Sequence, residues 1–195
     1  MLLRRCGTDA LLVEVDSLTE VAAVRAALEG LDGIEELVPA ARTVLVKGAL
    51  PQVREALATV DLTKAPENHP REVTIPVIYD GPDLDLVADT AGISPEEVVK
   101  LHTGATYEVA FCGFAPGFGY LTGLPASLQQ PRLDSPRTKV PAGSVGIAGE
   151  FTAAYPRATP GGWRLIGRTE IVLFDQKAET PALLQPGDQV RFVVA

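Results

Sequence analysis

The sequence predicts an α+β protein in two parts: a small α+β unit over about the first 67 residues, then a region of short strands that closes as a barrel or sandwich. Three observations predict it. Apolar spacing in the first part switches between strand and helix periods in the order β-α-β-β-α. A polar segment with two prolines, Lys64–Pro70 (KAPENHP), reads as a linker. Beyond two more helices, only short apolar or alternating runs remain, cut by Gly/Pro turns.

Ala10–Val15 is a short apolar strand. Ser17 opens a helix with Glu20 three residues on, the spacing of a capping box. Leu18, Val21, Val24 and Leu28 recur at helical spacing, and Gly30 ends the run. Ile34–Val38 and Thr43–Lys47 are strands rich in β-branched residues, joined by a turn around Pro39–Arg42. Pro51 suits a first helical position, followed by an apolar face of Val53, Leu57 and Val60. A strand at Glu72–Tyr79 either completes a ferredoxin-like unit or begins the next domain. Two helices follow, Leu84–Ala91 and one opened by Ser94-Pro95-Glu96-Glu97 that stops at His102-Thr103-Gly104. The remaining strands fall at Tyr107–Phe111, Ser144–Ala148, Trp163–Ile166, Ile171–Phe174 and Gln189–Val193.

Bulk properties exclude several classes. With 195 residues, 46% hydrophobic and 22% charged, the chain has the composition of a globular protein with a real core. No apolar run is long enough for a membrane span, and the N-terminal MLLRRCGTDALLVEVD does not read as a signal peptide. Two cysteines, Cys6 and Cys112, fit a reducing cytoplasm. A net charge of −8 argues against nucleic-acid binding.

The run Phe111–Thr169 concentrates glycine, proline and aromatics beyond what a packed core needs, the mark of loops held in defined shapes. From Arg132 to Arg168 it carries six basic residues (Arg132, Arg137, Lys139, Arg157, Arg164, Arg168) against Asp134 and Glu150. That stretch is therefore +4 and the rest of the chain −12. It reads either as a solvated basic face or as a site where arginine forks grip phosphate or carboxylate. PAGSVGIAG (Gly143, Ser144, Gly146) and TPGGW (Gly161, Gly162) would present consecutive N–H groups to an anion. Phe118 and Tyr120 flank Gly119 and would shape a pocket, whereas most of the aromatics read as core. His102 reads either as a helix-end histidine packed under a turn or as a general acid/base beside these loops. His69, in the linker, reads as solvated. There is no P-loop, no G-x-G-x-x-G after a strand, no G-x-S-x-G elbow and no zinc spacing.

GFAPGFGYL at Gly113–Leu121, PR-x₃-PR-x₂-VPAGSVGIAG at Pro131–Gly149 and YP-x₃-PGGW-x-LIGRT at Tyr155–Thr169 resemble the family of the 5-oxoprolinase B subunit, also called allophanate hydrolase subunit 1 and including a sporulation-kinase inhibitor. IPVIYDGPDL, VVKLH and LLQPGDQVRFV extend the resemblance over nearly all of residues 72–195. It implies a small N-terminal α+β domain, residues 1–68, which the element order makes ferredoxin-like, and a cyclophilin-like, carboxyltransferase-like β-barrel domain, residues 69–195. It also implies a cytoplasmic hetero-oligomer with the homologous C component (allophanate hydrolase subunit 2-like) and with an A component. That assembly opens the lactam of 5-oxoproline to glutamate at the expense of ATP, with Mg²⁺ accompanying the nucleotide. On matching positions it implies His102, Tyr155 and Arg137 as catalytic residues. Arg132, Gly143, Ser144, Gly146, Gly161, Gly162 and Arg168 become the substrate or anion binders, and no metal ligand is implied. Related sequences commonly carry glutamine where this chain has Phe151, and glycine where it has Ala153. Allophanate or other small-amide hydrolysis, and a histidine-kinase-inhibiting binding module, are the alternatives; the fold alone would also suggest prolyl isomerisation.

Overall fold

The computed structural model describes residues 1–48, 50–64 and 70–195. Most of the KAPENHP segment, with His69, lies outside the described residues. The chain divides into two compact units, Met1–His69 and Pro70–Ala195.

In the first unit the strands are β1 (Leu2–Cys6), β2 (Ala10–Glu14), β3 (Ile34–Pro39) and β4 (Thr43–Gly48). The helices are α1 (Leu18–Leu28) and α2 (Leu50–Thr59). Ser17 caps α1 as its sequence predicts, accepting from the Glu20 N–H at 3.2 Å, while Glu20 reaches back to the Asp16 N–H. The helix stops at Glu29, one residue before the expected glycine. Leu11 and Val13 from β2, Val44 and Val46 from β4, Val21, Val24 and Leu28 from α1, and Val53 and Leu57 from α2 make one core. Burial of about 1.5–3 kcal/mol per such side chain offsets the ordering of the backbone around it.

The sheet runs β1-β2-β4-β3, all antiparallel. A ferredoxin-like unit closes with a strand after its second helix. Among the described residues no later strand joins this sheet, and its fourth place is taken by the N-terminal β1. The ferredoxin-like expectation is corrected accordingly, to a β-β-α-β-β-α unit. Strand β1 escaped the sequence reading because it is an almost wholly exposed edge, and LLRRC shows no alternation.

The second unit holds β5 (Glu72–Val77), α3 (Leu84–Ala91), α4 (Pro95–Gly104), β6 (Tyr107–Cys112), β7 (Gly119–Thr122), β8 (Arg137–Val140), β9 (Ser144–Ala148), β10 (Phe151–Ala154), β11 (Thr159–Gly161), β12 (Arg164–Arg168) and β13 (Gln189–Val194). Seven strands form one sheet in the order β12-β9-β10-β7-β6-β13-β5, and β11 pairs with β8 in a small ribbon. Ile78, just past β5, bridges Arg168 of β12 through two backbone hydrogen bonds of 2.8 and 2.9 Å. The two terminal strands of the sheet are thereby stitched together, and the expected cyclophilin-like barrel is present.

The stitch continues from Gly81 to Ile166 and from Asp83 to Leu165. A side chain at Gly81 would lie 2.3 Å from the Ile166 carbonyl carbon, so only glycine lets the two backbones meet there. Glu72–Tyr79 thus begins the barrel and adds nothing to the first sheet. Ile171–Phe174 is not a strand; only Phe174 makes an isolated bridge, to Ala182.

Candidate functional site

Three pieces of the Gly/Pro-rich run converge on a cavity of about 80 Å³ in the second unit. The β6–β7 turn contributes Phe114 and Phe118, and β7 contributes Tyr120. The segment around β11 contributes Tyr155, Gly161, Gly162 and Trp163, and the loop before β8 contributes Arg132. The rings meet edge to face: Phe118 lies 5.2 Å from Tyr155 and 5.6 Å from Trp163, and Tyr120 lies 5.7 Å from Trp163. This geometry sets the positive edge of one ring against the negative face of the next and fixes the walls without a central polar group. A Cβ at Gly161 would come within 2.7 Å of the Tyr155 hydroxyl, so glycine there is what admits the phenol.

Arg132 is the charged member. It makes no hydrogen bond or ion pair within the described residues, and its charge acts on the two phenols beside it. Desolvation pushes the Tyr155 hydroxyl up to about 12 and also raises Tyr120, while Arg132 pulls both back toward ionisation. At neutral pH both phenols are therefore O–H donors.

The other expected site residues lie elsewhere. Arg137 donates to Asp83 Oδ1 at 2.6 Å and, more weakly, to the Trp163 carbonyl at 3.4 Å. Asp83 is buried, and its second oxygen accepts from the Leu165 N–H at 2.6 Å. That explains why Asp83 stands at the N-cap of α3 without capping it. Arg137 therefore ties the barrel stitch to a wall of the cavity and does not present its fork to an anion.

Arg168 is exposed and paired with Asp80 and Glu170. Gly143 gives its N–H to the Tyr155 carbonyl at 2.7 Å. Ser144 turns back on Pro141, and Gly146 lies within β9, paired with Ala153 and Leu165. The N–H groups of Gly143 and Ser144, which an anion nest would need free, are thus engaged inside the fold.

His102 is wholly buried in the main core, its ring tilted against Phe192 at a centroid distance of 4.5 Å. Its Nδ1 accepts from the Tyr79 hydroxyl at 2.7 Å, and its Nε2 meets Thr152 Oγ1 at 3.0 Å. Thr152 in turn donates to the Gly146 carbonyl, which leaves its oxygen to accept and places the imidazole proton on Nε2. Burial pushes the pKa down to about 3, so the ring is neutral. The helix-end position that suggested a favoured imidazolium carries no such charge, because core packing removes the solvent the cation needs.

Among the candidates, the fold brings Arg132, Tyr155, Gly161 and Gly162 together and leaves His102, Arg137, Gly143, Ser144, Gly146 and Arg168 outside the cavity. Phe114 and Trp163 were missed as pocket residues; the neighbouring glycine of each was the available signal. Phe151 packs edge-on against Tyr120 and Phe111 and so backs the cavity wall with a ring.

The family of the carboxyltransferase domain, subdomains C and D, matches residues 1–184. The chain belongs to this family. The B subunit of 5-oxoprolinase from Escherichia coli O157:H7 is 53% identical over 134 residues, 67% of this chain and 62% of that protein. Its counterpart from Bacillus subtilis is 49% identical over 144 residues, 72% of this chain and 59% of that protein. The resemblance read from the motifs is thus shown at the level of family, while the chain spans about six-tenths of the length of these curated relatives. The crystal structure of TTHA0988 superposes with a TM-score of 0.83 at 33% identity, covering 96% of this chain and 40% of that one. This carboxyltransferase-type pair of units therefore recurs within a longer chain.

Proposed function

We propose that this protein serves as the B component of an ATP-dependent amide-opening enzyme. Its substrate is the lactam 5-oxoproline, which the assembly opens to glutamate with a homologous C component and an A component. The observation that carries the reading is Arg132, an arginine without an ion-pair partner among the described residues, at the edge of a cavity otherwise walled by aromatic rings. A flat ring bearing one carboxylate is the complement of that surface. The lactam lies against Phe118, Tyr120 and Trp163, and the carboxylate takes the guanidinium fork.

Tyr155, held neutral, donates to the lactam oxygen, where charge develops as the amide is attacked. Phe118 and Trp163 exclude water from that oxygen, which strengthens the bond.

ATP supplies the phosphoryl group that turns a poor amide electrophile into a good one. A cavity of about 80 Å³ does not fit a nucleotide, because nucleotide-sized ligands need several hundred cubic ångströms. Among the described residues no cluster of His, Cys, Asp or Glu suits a cation such as Mg²⁺. The residues of this cavity are therefore assigned to the lactam alone.

The test is co-expression with the C and A components and assay of glutamate from 5-oxoproline with and without ATP. We expect glutamate only when ATP and this chain are both present. Arg132→Met should raise KM about 10-fold or more while the complex stays intact. A complex that forms yet gives no glutamate would refute the substrate. A normal KM in Arg132→Met would refute the assignment of the cavity.

A further inference from the structure

The turn that carries Phe114 is unlike any other among the described residues. Phe114 is the only non-glycine among the described residues with a positive φ, +65°. The Ala115 N–H closes back on the Gly113 carbonyl at 2.7 Å, which is the i to i+2 bond of a γ-turn. With positive φ this is the rare, strained form of that turn, and an aromatic side chain is poorly suited to it. Two further bonds hold the turn in place, Phe118 N–H to the Ala115 carbonyl at 2.9 Å and Gly113 N–H to the Phe118 carbonyl at 3.1 Å.

Gly113, on one side, has room for a side chain, its nearest new neighbour being a Tyr120 ring carbon at 3.9 Å. A glycine at 114 with the larger residue at 113 would have avoided the strain. Instead the fold holds a phenylalanine that is 56% exposed, yet sets its ring edge-on against Phe118 at 5.2 Å and Tyr155 at 6.2 Å. The ring contributes little to the core and borders the mouth of the cavity. Backbone strain kept at a site, around a group the core does not use, points to a ligand contact.

We propose that Phe114 is a ligand-contacting residue that sets specificity for a planar ring: its face completes the aromatic enclosure over a small cyclic amide whose carboxylate is held by Arg132. This rests on the reading of the cavity given above. The ring, half in water in the unliganded chain, buries its exposed face only when the ligand is present, so its contribution appears in affinity and not in fold stability. An acyclic amide lacks the flat surface that such a lid covers.

The experiment uses the full chain and its single tryptophan, Trp163, which lines the same cavity, as the reporter of 5-oxoproline binding. Wild type, Phe114→Gly, Phe114→Tyr and Arg132→Met are titrated, and the thermal midpoint of each is recorded. We expect saturable binding by wild type and Phe114→Tyr. Phe114→Gly should bind about 10-fold or more weakly while its midpoint stays equal or rises, since glycine relaxes the turn. A midpoint that falls together with affinity would assign Phe114 a structural role and overturn the proposal. Loss of binding in Arg132→Met with normal binding in Phe114→Gly would overturn it while leaving the cavity reading intact. No saturable signal in wild type would remove the cavity reading and this inference with it.

Discussion

Acid should weaken the barrel through one residue, His102. In the folded chain its pKa is pushed down to about 3 by burial, whereas the ordinary value is 6.5. Between those two values the unfolded chain binds a proton that the native chain refuses, so stability falls as pH falls and is fully present above about 6.5. One pKa unit corresponds to about 1.4 kcal/mol, and pH 5 lies about 1.5 units below the unfolded value, which gives about 2 kcal/mol lost between pH 8 and pH 5.

Other groups also titrate over that range, so the quantity to measure is a difference between two proteins. His102→Gln keeps an amide donor for Thr152 and leaves the half-buried Tyr79 hydroxyl to water, at a cost of about 1–3 kcal/mol at neutral pH. It has nothing to titrate. Urea unfolding followed by the fluorescence of Trp163 reports on the unit that carries His102. The stability gap between wild type and variant should shrink by about 2 kcal/mol from pH 8 to pH 5. A gap independent of pH would show that the native imidazole takes up its proton normally, and would refute the buried neutral network.

Three further outcomes follow from the geometry. Arg137→Met leaves the Asp83 carboxylate buried with only the Leu165 N–H, and should cost about 3 kcal/mol in urea unfolding, the low end for such pairs because Arg137 is 28% exposed; an unchanged midpoint would deny the pair its role. Gly161→Ala drives a methyl against the Tyr155 hydroxyl and should cost about 1–3 kcal/mol, with 5-oxoproline binding reduced as the phenol is displaced; stability and binding equal to wild type would show that the wall yields freely. All four tyrosines have raised pKa values from desolvation, so the native chain should show little tyrosinate absorbance at pH 10. Stability should then fall as pH rises through 10, because the unfolded phenols lose protons that the native ones keep; native ionisation at the ordinary pH would contradict this.

What was legible in the sequence was what local chemistry determines. Ser17 with Glu20 and Ser94 with Glu97 announced two helix starts, and the β-branched run at Thr43–Lys47 announced β4. Strands β7, β8, β10 and β11 did not show, since runs of three or four residues are too short for a period of two to emerge. In the site, the motif density around Arg132, Tyr155 and Gly161–Gly162 marked the segments that do converge. Arg137 looked like an anion binder because its partner, Asp83, lies 54 residues away and only the closed barrel brings them together. His102 stayed open between a packed helix-end residue and an acid/base for the same reason: Phe192 and Tyr107, which bury it, arrive from strands that follow in sequence.

Strand β13 lies between β6 and β5, running parallel to β5, so the barrel's earliest and latest strands are neighbours. During synthesis, β5 has to wait for its partner until the residues of β13 have been made, more than a hundred positions later. Until then Ile75 and Val77 of β5 and Val109 of β6, all buried in the finished barrel, have an open flank. The first unit, whose pairings are closed by Gly48, has no such delay. The order of events is set by this topology: the N-terminal unit can form as it emerges, and the barrel is the slow, aggregation-exposed step that a chaperone or a missing C-terminal strand would affect most.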